Sequence, residues 1–79
     1  NAYGYYLVTT PEDIGNVIRT RRRKLGYTQE EVAAFNQCSP RFLGELERGK
    51  NGANIKLVLQ IANSLGIDFY MGIRGDEDW

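Results

Sequence analysis

Arg41 and Glu45 stand four residues apart in the run Ser39-Pro40-Arg41-Phe42-Leu43-Gly44-Glu45-Leu46-Glu47-Arg48-Gly49-Lys50. A guanidinium can donate two parallel hydrogen bonds to O6 and N7 of guanine, and a carboxylate can accept from N4 of cytosine. Residues four apart share one face of a helix, so the two could read base edges together. Leu43 and Leu46 need a core, which leaves Ser39, Pro40, Arg41, Gly44 and Glu45 on the N-terminal end and outer face. Gly44 lowers helix propensity but would let a backbone approach a base step or a thymine methyl. Little else in the chain suits other chemistry. It has no histidine and a single cysteine, so a general base, a metal site and an internal disulfide are all unsupported. We expect no catalytic residue, no metal and no cofactor.

The elements that must position this run have their own start and stop signals. Thr28 and Glu31 have the spacing of a capping box, which predicts a helix from Thr28 to about Phe35. Ser39 as N-cap and Pro40 at the first position predict another from Pro40 to Arg48, closed by Gly49. Between them Phe35-Asn36-Gln37-Cys38 leaves room only for a tight turn. Upstream, Thr10, Pro11 and Asp13 open a helix that runs to about Leu25 and stops at Gly26, with Ile14, Ile18, Arg21 or Arg22, and Leu25 on one face. Downstream, Asn54 caps a helix that ends at Leu65. Its core stripe is Val58, Ile61, Ala62 and Leu65, and Ile55, Leu57 and Leu59 widen it enough to predict burial on a second side. Two short helices joined by a tight turn, the second rich in polar side chains, follow the helix-turn-helix plan for entering a DNA major groove.

Thr28-Gln29-Glu30-Glu31-Val32-Ala33, Ser39 and Leu43 to Lys50 resemble the XRE-type helix-turn-helix family of phage repressors and bacterial regulators. The likeness extends through Ile14-Gly15, Ile18, Arg22 and Gly26, and through Val58, Ile61, Ala62, Leu65 and Gly66, covering roughly residues 12 to 67. The string from Pro40 to Lys50 more narrowly resembles HipB-like antitoxins, whose family partners are HipA-like serine/threonine kinase toxins. The resemblance implies a mainly α, lambda-repressor-like domain of four or five helices, although the usual fifth helix after Gly66 is missing. It places Pro40, Arg41, Gly44 and Glu45 on base-facing positions and Gln29 on a position that touches the DNA backbone. Thr28, Arg48, Lys50, Asn51 and Lys56 flank these as further phosphate-contact candidates. Arg22 and Glu47 match a partly buried family ion pair between the first and third helices. Asn36 and Gln37 depart from the family, where an apolar residue and a glycine are usual. Asn tolerates a left-handed backbone, so the turn is expected to shift by one residue, with Phe35 or Phe42 filling the space. Cys38 sits where a small apolar residue is usual and reads as a packed thiol.

Ile67, Phe69, Met71 and Ile73 alternate with polar or small residues, which predicts a strand over 67–74 with one buried face. Tyr5 to Val8 is a shorter strand candidate in an N-terminal arm, 1–9, ahead of the helical domain, 10–66. A strand with no sheet to join needs a partner, and two are available: Tyr5 to Val8 of the same chain, and the same strand of a second copy. Pairing with both would make a shared sheet, so Leu57, Ile67, Phe69, Tyr70, Met71 and Ile73 are expected to form a homodimer seam. Residues 75–79 form an acidic tail, where Trp79 is a candidate contact for a toxin. Seventy-nine residues support one modest core, and so short a chain often gains stability by association. Ten basic residues balance ten acidic ones. Yet Arg19 to Lys24, Arg41, Arg48, Lys50 and Lys56 are segregated from Asp68, Asp76, Glu77 and Asp78, so a basic face can exist at zero net charge. No apolar run is long enough to span a membrane, and the stretch from Tyr3 to Val8 lacks the basic start and long apolar core of a signal peptide, which fits the expectation of a cytoplasmic protein. The chain starts at Asn1 rather than Met, which leaves room for residues ahead of it. The expected function is a homodimeric repressor binding palindromic operator DNA and a kinase toxin. The alternatives are a repressor or restriction-control regulator without a toxin, and an interaction adaptor that no longer reads DNA.

Overall fold

The computed structural model describes residues 4–75, so Trp79 and the acidic Asp76, Glu77 and Asp78 lie outside the described residues. Four helices follow in order: α1 Pro11–Lys24, α2 Gln29–Phe35, α3 Pro40–Glu47 and α4 Ile55–Ser64. Each starts where its capping residue stands. The Asp13 amide donates to Thr10 Oγ1 at 3.2 Å and the Thr10 amide to Asp13 Oδ2 at 3.1 Å. Thr28 and Glu31 close the same reciprocal box on α2, Ser39 accepts from the Phe42 amide, and Asn54 from the Leu57 amide. Each cap satisfies orphan amides and is worth about 1 kcal/mol.

The helices enclose one core of Ile18, Val32, Leu43, Leu46, Val58, Ile61 and Leu65, against which Ile14, Phe42, Cys38, Leu57 and Ile67 pack. Burying side chains of this size contributes about 1.5–3 kcal/mol each. Close approach of α1 to α3 depends on Gly15: a Cβ there would fall 2.5 Å from the Leu46 carbonyl oxygen and 2.7 Å from that of Glu47. Arg21 ties the other end of α1 to α4 by donating from Nε to the Leu65 carbonyl at 2.9 Å. No helix among the described residues is long and apolar enough to cross a membrane.

The flanks depart from expectation. No strand occurs among the described residues: residues 67–73 carry no ladder, and neither do residues 5–8. Period-two alternation fixes which side chains share a face, but a strand exists only where a neighbour supplies hydrogen bonds. The face expected to be covered is correspondingly open, with Phe69 and Ile73 exposed and Met71 81% exposed, while of these four Ile67 alone reaches the core cluster. Arm and segment do meet through Tyr5 and Tyr70, whose rings pack edge to face at 5.9 Å. On α4, Ile55 and Leu59 are exposed and Leu57 half-buried, so its second apolar side is not covered either. Leu25, the C-cap of α1, keeps a helical backbone and donates to the Arg21 carbonyl, but its side chain is exposed instead of joining the core.

Candidate nucleic-acid interface

The turn that presents α3 is built around Asn36, which is 3% exposed. It ends α2 with an ordinary negative φ, while Gln37 takes the left-handed position at φ 55°. The turn therefore keeps its register, contrary to the expected shift. Asn36 fills its own place: Nδ2 donates to the Val32 carbonyl at 2.9 Å and to Ser64 Oγ at 3.1 Å. Gln60 Nε2 in turn donates to the Asn36 carbonyl at 3.1 Å. A buried amide so fully partnered costs little, whereas an unpartnered one would cost about 1–3 kcal/mol. Neither phenylalanine is needed to fill a gap. Phe35 lies outside, edge to face with Tyr27 at 5.2 Å, and Phe42 packs on the core from α3.

Beneath α3, Arg22 and Glu47 form the expected pair as a two-pronged contact, Nε to Oε2 at 2.6 Å and Nη2 to Oε1 at 2.9 Å. Their side chains are 9% and 2% exposed. Arg22 Nη1 also donates to the Tyr27 carbonyl, and Gln29 Nε2 donates to Glu47 Oε1 at 3.0 Å. Burial pushes the Glu47 carboxyl up, but hydrogen bonds from Arg22 and Gln29 outweigh it and hold it below the usual glutamate range. The bond to Glu47 raises the Arg22 pKa against the opposing effect of burial. Gln29 was expected only as a backbone-contact residue. Its place beside Glu47 joins the starts of α2 and the end of α3, a link across eighteen residues that no local spacing announces. Burial raises the pKa of the Cys38 thiol, as suits a packed side chain.

At the surface, Ser39, Pro40 and Arg41 are exposed together at the start of α3, though the Ser39 hydroxyl already accepts from the Phe42 amide. Thr28, Arg48, Lys50, Asn51 and Lys56 are exposed as well. Gly44 is not: it is buried, and a Cβ there would lie 3.4 Å from Arg48 Nη1 and 3.6 Å from Gln29 Oε1. Both distances are ordinary van der Waals contact, so an alanine would fit there, and the Gly44 backbone lies beneath these two side chains. Glu45 is half-buried, with Oε2 3.1 Å from Lys50 Nζ and 3.7 Å from Arg41 Nε. The Lys50 hydrogen bond, aided by Arg41 and Arg48, lowers its pKa despite some burial. The outer end of α3 is thus a cationic rim with one carboxylate set into it.

A helix-turn-helix family model matches residues 18–70. Two HTH-type transcriptional regulators of Sinorhizobium fredii are similar in sequence. One is 39% identical over 59 residues, covering 75% of this chain and 78% of the relative. The other is 35% identical over 54 residues, covering 68% and 70%. Among solved structures, HipB in a HipB-O4 20mer complex superposes with a TM-score of 0.79 at 17% identity, over 89% of this chain and 99% of that one. A chain of a HipA-HipB-O2-O3 complex superposes with a TM-score of 0.80, also at 17% identity, over 89% and 99%. At that identity the likeness concerns the fold, while the family model and the regulators carry the assignment. The chain belongs to the XRE-type helix-turn-helix family of transcriptional regulators.

Proposed function

We propose that the chain is a sequence-specific, homodimeric repressor of the HipB-like antitoxin type, binding a palindromic operator and a HipA-like kinase. The observation that carries DNA reading is the exposed Ser39-Pro40-Arg41 corner of α3, rimmed by Arg48 and Lys50 and braced from beneath by Arg22 and Glu47. Arg41 reads guanine in the major groove, and Pro40 and Ser39 pack against neighbouring base edges. Arg48, Lys50, Asn51, Lys56 and Thr28 take phosphates and set the register. Gln29 joins them through its amide, positioned by Glu47. The dimer forms through the open apolar face of residues 67–73, where self-pairing supplies the missing ladder and closes at two copies. Its two α3 helices would then address half-sites about one DNA turn apart, roughly 34–36 Å. The kinase partner rests on the fold shared with a chain solved together with HipA. The relatives named as transcriptional regulators equally suit a repressor without a toxin.

Binding of the purified chain to duplexes selected from a randomised pool tests the reading. Arg41→Ala should cost about 1–3 kcal/mol and relax preference at one base pair per half-site. Arg48→Ala should weaken all duplexes alike and reduce the salt slope by about one counterion. An Arg41→Ala protein with unchanged base preference would overturn this pose of α3. A chain that sediments as a monomer while binding a palindrome cooperatively would overturn the seam. Co-purification with a kinase encoded beside it separates the antitoxin from the free-standing repressor.

A further inference from the structure

The outer carboxylate of α3 sits among the cations of the proposed DNA-reading surface. One oxygen, Glu45 Oε2, accepts from Lys50 Nζ at 3.1 Å and lies 3.7 Å from Arg41 Nε, so a single anion engages both neighbours at once. The geometry is asymmetric: the Arg41 and Lys50 side chains are 86% and 61% exposed, and that of Glu45 only 24%. Part-burial fixes the carboxylate, while the two cations keep the freedom to leave it. Arg48 adds a third positive charge to the same field.

Resting on the DNA-binding reading above, we infer that Glu45 is a specificity-determining residue that acts as an internal rival of DNA phosphate, occupying Lys50 and Arg41 until a matching base sequence releases them. On an arbitrary duplex, phosphates gain Lys50 only by breaking its pair with Glu45, and the stranded carboxylate then faces the DNA backbone. Most of the counterion-release gain of that contact is cancelled. On a matching duplex, Arg41 exchanges one carboxylate oxygen for the paired acceptors of guanine, and Glu45 accepts from a cytosine amino group, so neither charge is stranded. The same residue therefore penalises the wrong sequence and is satisfied by the right one, which is how discrimination is gained without greater affinity.

The test uses the full chain, a palindromic duplex selected from a randomised pool by the wild-type protein, and a scrambled duplex of the same length and composition. Glu45→Gln keeps the side chain's size and removes its charge. It should tighten binding to the scrambled duplex by roughly two- to five-fold, the strength of one exposed ion pair. The salt slope on that duplex should steepen by about one counterion. The selected duplex should gain nothing, so the ratio of the two affinities falls. Lys50→Gln added to Glu45→Gln should abolish most of the gain on the scrambled duplex. An unchanged or rising affinity ratio would overturn the inference, as would a gain that persists in full without Lys50. Wild-type protein that binds neither duplex in a salt-dependent manner removes the DNA-binding reading itself. A salt-dependent binder whose ratio ignores Glu45 removes only the inference.

Discussion

Two glutamates, two residues apart on α3, occupy opposite electrostatic worlds. Glu47 faces inward to Arg22 and Gln29 with a 2% exposed side chain, and every atom of the contact is fixed by packing. Glu45 faces outward to Arg41 and Lys50, cations that solvent already surrounds. The inner pair could not be dissolved without stranding a charge in the interior, so it serves as architecture. The outer pairs are worth little to the fold because water screens them, which frees them to be exchanged. Little more than half a turn of helix thus separates charge that holds the fold from charge open to exchange.

The sharpest way to break this contrast is Glu47→Ala, which should cost about 3–5 kcal/mol in urea unfolding because the Arg22 guanidinium cannot discharge itself. Adding Arg22→Met should restore part of the loss. A melting shift of a degree or less would show the inner pair to be as dispensable as the outer one. Acid should separate them next. A carboxyl whose folded pKa is lowered stabilises the protein above its unfolded value and loses that contribution as pH falls through the folded one. The stability gap between wild type and Glu47→Gln should therefore hold from neutrality down to the ordinary glutamate value of 4.5 and shrink below it. A gap that widens on acidification would reverse the sign and refute the depressed Glu47. Gln37→Gly, which relieves the left-handed backbone of the turn, should stabilise by about 0.5–1 kcal/mol after glycine's greater unfolded freedom is subtracted. Smallest of all, Glu45→Ala should leave the unfolding midpoint within about 0.5 kcal/mol of wild type. A larger loss would mean that the outer face is structural too.

The helical part of the molecule was legible because its signals are local. Thr10, Thr28, Ser39 and Asn54 each announce a helix start within three residues, and every helix begins at its mark. Arg22 with Glu47 came through resemblance, not spacing. What escaped was long-range or depended on a neighbour. An asparagine at a helix end suggests a left-handed cap, yet Asn36 is held by Gln60 and Ser64 from α4, which only the folded chain brings near. The sequence places Gly44 on the outer face but does not show that it is buried, with the Gln29 and Arg48 side chains within contact distance of where its Cβ would stand. Over residues 67–73 the alternation predicts a strand, but a strand is a relation between two segments, and one segment's pattern cannot supply the second.

Gly15 sets a tolerance for the whole machine. Where its missing Cβ would stand, the backbone oxygens of Leu46 and Glu47 already lie within 2.7 Å, so even one methyl group must wedge α1 away from α3. In the dimer proposed above, that wedge would be registered twice, once on each side of the dyad, with the displacements directed oppositely along the DNA. An error of a fraction of an ångström in one subunit would become a mismatch of spacing between half-sites. Hydrogen, the smallest side chain available, is in that sense the gauge block against which the instrument is calibrated.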